Sequence, residues 1–93
     1  MDLVKEIKRA ISTGKVYFGT EQAKKALRKG EAKILIIAKN IPDTSFLENI
    51  DKNVNIIKYD GSSSELGSIC GKMFDISVLT IVDPGEAKFV KQQ

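Results

Sequence analysis

The run Ile34-Leu35-Ile36-Ile37-Ala38, five consecutive apolar residues between Lys33 and Lys39, constrains this chain more than any other segment. Successive side chains of a strand point to opposite faces, so a strand that is apolar at every position needs cover on both. The run therefore predicts a central strand with a packed layer on each side. It is too short for a membrane-spanning helix, and no apolar run in the chain approaches the roughly 18 to 20 residues that a span requires. With 93 residues, 42% hydrophobic and 29% charged, the chain can build one core but not two. A single domain over residues 1–93 is expected, with no linker inside it.

The flanking segments supply the layers. Leu3, Val4, Ile7, Ala10 and Ile11 recur with the spacing of an amphipathic helix whose lysines face outward. That helix ends at Thr13-Gly14, where Gly14 can take the left-handed conformation of a helix C-terminus. Val16-Tyr17-Phe18 is a short β-rich run closed by Gly19. Thr20 to Lys29 is rich in helix formers, buries Ala23, Ala26 and Leu27, and stops at Gly30. After the turn chemistry of Asn40-Ile41-Pro42-Asp43, the residues Phe46, Leu47 and Ile50 give a short helical face ending near Asn53. Asn55 to Tyr59 reads as a third strand and Ile76 to Val82 as the last. Between them Ser62-x-x-Glu65 has the pattern of a capping box, opening a helix expected to bury Leu66, Ile69, Cys70 and Met73. Asp83-Pro84-Gly85 ends the last strand, and the tail from about residue 87 is expected to fray. Helices alternating with strands predict an α/β fold, a three-layer α/β/α sandwich with a mixed four-stranded sheet.

Charge narrows the partners. The net charge is +3, but residues 1 to 40 hold ten Lys/Arg against four acids, whereas the remainder holds five against eight. Such asymmetry suggests one basic surface, which attracts polyanions, although lysine-rich surfaces also occur on many soluble proteins. Cys70 is the sole cysteine and there is no histidine, so an internal disulfide, a Cys/His metal site and histidine acid/base chemistry are all excluded. Residues 1 to 11 alternate charge with apolar residues instead of forming a signal-peptide core, so a cytoplasmic protein is expected.

Three features can carry chemistry. Gly19 precedes the first turn of the second helix, where unpaired N–H groups and the macrodipole favour an anion, and a glycine leaves room for a backbone; it can equally serve only a tight strand-to-helix connection. Within the next two turns, the Glu21 carboxylate and the Gln22 amide can read base edges, and Lys24, Lys25 and Arg28 can hold phosphates, unless this is simply a solvated face. Asn40 follows the central strand, where ligand sites concentrate in α/β sheets, or else makes an Asx turn. Phe74-Asp75-Ile76 places two large apolar residues around a charge in a loop; they can stack on splayed bases or dock on the core.

Enzyme readings fail on spacing. Gly67-x-x-x-Gly71-Lys72 has three intervening residues where a phosphate-binding P-loop has four, lacks the following Ser/Thr and lies at a helix end. Ala38-Lys39-Asn40 stands where a phosphoacceptor aspartate would be needed. Cys70 falls on an apolar helix face with no base beside it and reads as core. No catalytic residue, metal or cofactor is expected.

Taken together, Thr13-Gly14-Lys15-Val16, Tyr17-Phe18-Gly19-Thr20, Ala38-Lys39-Asn40-Ile41-Pro42, Gly61-Ser62-Ser63-Ser64-Glu65-Leu66-Gly67, Cys70-Gly71-Lys72 and Val82-Asp83-Pro84-Gly85-Glu86 resemble the kink-turn-binding superfamily. Within it, the chain is more similar to the archaeal and eukaryotic large-subunit ribosomal L30e family than to its L7Ae cousins. The resemblance spans about Leu3 to Glu86. It implies a contact surface of three loops: Gly19 with Thr20 and the helix start, Lys25 against the kinked strand, and Asn40 and Phe74 with Ile76 in the other two. It departs from the family at Glu21 and Gln22, and the stretch from Phe46 to Asn55 is short for it.

The resemblance thus implies a non-catalytic constituent of the large ribosomal subunit, located on the cytoplasmic ribosome. Its partners would be rRNA with a kink-turn and a similar element of its own mRNA, with neither DNA nor membrane involved, and it would be monomeric when free. The RNA-binding residues would be Gly19, Thr20, Glu21, Gln22, Lys24, Lys25, Arg28, Asn40, Phe74 and Ile76. Alternatives are a non-ribosomal kink-turn protein of the superfamily, a protein-interaction module anchored by Phe74 and Ile76, and a small α/β enzyme or phosphate-responsive regulator using Glu21.

Overall fold

The computed structural model describes residues 2–41, 45–48, 50 and 53–89. Its elements are α1 (Leu3–Thr13), β1 (Lys15–Phe18), α2 (Thr20–Arg28), β2 (Ile34–Ile37), a 3-10 turn (Ser45–Leu47), β3 (Asn55–Lys58), α3 (Ser63–Ile69) and β4 (Val78–Asp83). The strands form a single sheet in the order β1-β4-β2-β3. β4 pairs antiparallel with both β1 and β2, and β2 pairs parallel with β3, so the sheet is mixed.

The predicted two-sided cover of the apolar run is present. Leu35 and Ile36 are adjacent, point to opposite faces, and are both fully buried. Ile36 packs in a cluster with Ile7 and Ala10 of α1, Leu66 of α3, Ile57, Leu79 and Ile81. Leu35 packs in a second cluster with Ala23 and Ala26 of α2 and with Val78; Phe46, Leu47 and Ile50 close its margin. Burying each such aliphatic side chain contributes about 1.5 to 3 kcal/mol. Helices α1 and α3 therefore cover one face and α2 the other, which is the three-layer sandwich.

Both helices that end at a glycine in left-handed conformation use the same lock. At α2, Gly30 (φ 71°) donates to the Leu27 carbonyl and Glu31 to that of Ala26. At α3, Gly71 (φ 73°) donates to the Ser68 carbonyl and Lys72 to that of Gly67. These paired bonds satisfy the last carbonyls and stop the helix. The α3 lock corrects one expectation: the helix ends before Met73, which is fully exposed instead of buried, while Ile69 and Cys70 are half-buried. At the end of α1, Gly14 is extended (φ −121°) and not left-handed. Glycine is needed there for space, since a Cβ would collide with the Asp83 carbonyl oxygen and with the backbone of Pro84 and Gly85.

Beyond β4 the chain folds back along α1 as far as Phe89. Glu86 donates its N–H to Thr13 Oγ1 (2.9 Å) and Lys88 donates its own to the Glu6 carboxylate (2.8 Å). Ala87 is buried and Phe89 packs on the α1 face. The expected turn at Pro42-Asp43 and the tail from residue 90 lie outside the described residues. Of the expected helical face near Phe46, the 3-10 turn is the described part.

Candidate nucleic-acid interface

Strand direction gathers the candidate loops. β1 and β2 both run antiparallel to β4, so their C-terminal ends meet the start of β4 at one pole of the sheet. Gly19 donates its N–H to the Val78 carbonyl (2.9 Å), and Ala38 donates to that of Ser77 (2.9 Å). β3, parallel to β2, ends at the same pole and delivers Ser62 and Ser63 there. Gly19, Asn40 and the 72–77 loop are thereby brought together from three separate regions of the sequence.

Gly19 caps α2 with φ 96° and ψ 163°, a region that is essentially accessible only to glycine. An added Cβ would meet nothing within 4 Å, so the position is open to an approaching group. No side chain caps the helix, and the N–H groups of Thr20, Glu21 and Gln22 have no partner inside it. Glu21, Gln22, Lys25 and Arg28 are exposed, while Thr20 and Lys24 are half-buried. Lys24 is engaged sideways: its Nζ is 3.9 Å from the Glu21 carboxylate and 6.0 Å from the centroid of the Phe46 ring. Lys25 and Arg28 pair with no carboxylate among the described residues and keep their charge available.

Asn40 is held by the neighbouring helix. Its Oδ1 accepts from the backbone N–H of Ser63 (2.8 Å), which leaves the two Nδ2 donors for other partners. The Ser63 carbonyl in turn accepts from Ile76 N–H (3.0 Å), and Lys39 N–H donates to the Gly61 carbonyl (2.8 Å). Ser63 thus ties the loop after β2 to the loop before β4.

That last loop divides its two apolar residues. Ile76 is 0% exposed and belongs to the core beside Leu66 and Leu79, whereas Phe74 is 60% exposed. The loop backbone lies so close to α3 that a Cβ on Gly67 would collide with the Phe74 carbonyl oxygen. Ile76 therefore has no surface to offer a nucleotide, and the assignment of that role to it is corrected; it anchors the loop from which Phe74 projects. Two neighbours at this pole are not among the contact residues to which the sequence points. Lys72 holds its Nζ 4.6 Å from the centroid of Phe18, and Met73 extends the exposed apolar surface. The left-handed Gly71, as a helix stop, was the available signal that both would be released from α3.

A shallow concavity of about 140 Å³, lined by Ser64, Ser68, Lys72, Met73, Phe74 and Asp75, adjoins this loop. Cys70, behind it, is half-buried, and burial pushes its thiol up to about 11 against a smaller opposing effect of Lys72. A thiol so held is protonated at neutral pH and is a poor nucleophile. The pole offers donors, cations and one exposed aromatic ring around an open backbone, which suits recognition of a polyanion more than bond-making chemistry.

Comparison with known proteins agrees with this architecture. A family model described as "Ribosomal protein L7Ae/L30e/S12e/Gadd45 family" matches residues 1–91. The chain is 38% identical over 95 residues to the large ribosomal subunit protein eL30 of Methanosphaera stadtmanae, covering 98% of this chain and 97% of that one. It is 39% identical over 89 residues to the eL30 of Methanoregula boonei, covering 94% and 91%. With the eL30 of Sulfurisphaera tokodaii it shares 35% identity over 91 residues, covering 94% and 86%. On a match spanning nearly its whole length, the chain belongs to the ribosomal protein L7Ae/L30e/S12e/Gadd45 family.

Proposed function

We propose that this protein is a non-catalytic constituent of the large ribosomal subunit, acting on the cytoplasmic ribosome by binding a kinked element of rRNA. The ribosomal assignment is supported by the names of its near full-length relatives. The observation that carries the RNA reading is the convergence of the open Gly19–α2 start, Asn40 and Phe74 at one pole.

In this reading each role is supported by the exposure and chemistry of the residue that takes it. Gly19 and Thr20 admit the sugar-phosphate backbone to the unpaired N–H groups of α2. Lys25 and Arg28 hold flanking phosphates, with Lys24 contributing from beside Glu21. Glu21, Gln22 and the free Nδ2 of Asn40 face base edges, and Phe74 stacks on an unstacked nucleotide. Ile76, buried in the core, anchors the loop that carries that ring. A bent RNA satisfies three contact points at one pole better than a straight duplex does, and a similar kink in the protein's own mRNA would fit the same surface. The free protein acts as a monomer.

The test is a gel-shift titration with a kink-turn hairpin and a straight duplex of equal length. At least tenfold tighter binding of the hairpin is expected; equal affinity would overturn shape recognition.

A further inference from the structure

Asp75, between Phe74 and Ile76, puts an exposed carboxylate at the pole assigned to RNA. A carboxylate accepts hydrogen bonds, donates none and repels phosphates, so at such a place it needs either a cation to pair with or donors on the ligand. The cation is at hand and is not used. Lys72 lines the same shallow concavity of about 140 Å³, yet its ammonium lies 4.6 Å from the centroid of the Phe18 ring. Among the described residues Asp75 forms no ion pair.

The carboxylate is held in place from beneath. The buried Ser63 directs its hydroxyl at Asp75 Oδ2 over 3.5 Å, the long limit of a hydrogen bond. The Ser63 carbonyl accepts from Ile76 N–H at 3.0 Å, which fixes the backbone on one side of Asp75. On the other side the chain rests on α3, where a Cβ on Gly67 would fall 3.5 Å from the Asp75 Cα. One donor from Ser63 uses one of about four lone-pair sites, so both carboxylate oxygens can still accept. The exposed Phe74 ring lines the same concavity, and so do Ser64 and Ser68, whose hydroxyls have no hydrogen bond among the described residues.

An aromatic ring beside a paired acceptor is an arrangement that takes the face and the edge of one base. Of the four RNA bases, only guanine presents two donors side by side on its Watson–Crick edge, N1–H and the N2 amino group, matching the two oxygens of a carboxylate. Its O6, next to them, can accept from a serine hydroxyl. Adenine and cytosine set a ring-nitrogen acceptor beside their amino group, and uracil has a single N–H between two carbonyls. We propose that Asp75 is a specificity-determining residue, which selects guanine at the unstacked nucleotide on Phe74 by accepting from N1–H and N2–H while a hydroxyl of α3 donates to O6. The inference rests on the RNA-binding reading and its stack on Phe74, and adds which base is taken.

The experiment titrates the full chain against kink-turn hairpins that differ at one unpaired nucleotide at a time, carrying guanine, adenine, cytosine, uracil or inosine. At one position guanine should bind at least about fivefold tighter than adenine, cytosine or uracil. Inosine, which lacks the N2 amino group, should bind at least about threefold weaker than guanine there. Asp75→Ala should bring the four bases within twofold of one another, with the non-guanine hairpins bound as tightly as before or more so, because a charge that repels phosphate is gone. Asp75→Asn, left with a single acceptor atom, should abolish the inosine penalty. Circular dichroism checks that both variants are folded. A guanine preference that survives Asp75→Ala, or an equal gain in affinity for all four bases, would overturn the proposal. No preference at any unpaired position, with Phe74→Ala still weakening binding, sinks the proposal and leaves the RNA-binding reading standing. Hairpin binding that is absent or indifferent to Phe74→Ala removes the stack itself, and the proposal with it.

Discussion

The side-chain oxygen of Asn40 accepts a hydrogen bond from the backbone N–H of Ser63 at 2.8 Å, fastening the loop after β2 to the first turn of α3. This bond separates two roles that the residue combines. Asn40→Asp keeps an acceptor at the N-terminus of α3, where negative charge is favoured, so the urea midpoint should hold or rise. Its Nδ2 donors are lost and a carboxylate faces the RNA, so hairpin affinity should fall at least tenfold. Asn40→Ala should lose affinity and also destabilise by about 1 to 2 kcal/mol, because the Ser63 donor is left unpaired.

Gly19 and Phe74 should respond differently to substitution. Gly19→Ala forces a side chain into φ 96°, ψ 163°, at a cost of about 1 to 3 kcal/mol in denaturant unfolding. Phe74→Ala removes a ring that is largely exposed, so stability should change by less than about 0.5 kcal/mol. Binding of the hairpin should nonetheless weaken by about 1 to 3 kcal/mol if the ring stacks on a base. A loss of stability without a loss of affinity would return Phe74 to a purely structural role.

Glu6 anchors the C-terminal segment. Glu6→Ala leaves the Lys88 N–H without its acceptor and Arg9 without its partner, and should destabilise by about 1 to 3 kcal/mol. Hydrogen exchange should show the Lys88 amide losing protection before the strands do. Unchanged protection at Lys88 would contradict the anchor.

Thr80 lies in the interior strand β4, 0% exposed, and its Oγ1 has no hydrogen-bond partner among the described residues. Thr80→Val keeps the shape and removes the desolvated hydroxyl, so unfolding free energy should rise by about 1 kcal/mol. A lower urea midpoint would mean that the hydroxyl is satisfied.

Burial holds the Cys70 thiol at about 11, above the ordinary 9.0. The thiolate is the reactive form, so alkylation at pH 8 should run on the order of a hundredfold slower than for a free thiol and accelerate until the pH passes that value. Equal rates in native and urea-unfolded protein would show that burial has no such effect.

Much of this was legible before the chain was folded. The run Ile34–Ala38 required cover on both faces, and β2 has it. Gly19, Lys25, Arg28 and Asn40 were identified from residue type and position relative to the elements, and all four are exposed or open to approach. The apolar spacing of Leu66 and Ile69 continues to Met73, but the lock at Gly71 ends the helix first and leaves Met73 exposed. Ile76 was misassigned because exposure in a loop depends on what packs beneath it.

The amino-acid sequence by itself determined the elements and their layering, since periodicity, helix stops and run length are properties of neighbouring residues. Only the tertiary structure decided the strand order β1-β4-β2-β3, the meeting of Gly19, Asn40 and Phe74 at one pole, the Asn40–Ser63 bond and the hold of Glu6 on Lys88. Each of these joins residues far apart in the chain. Such pairings follow from which faces bury the most apolar surface together while leaving backbone groups paired, and no local pattern encodes that choice.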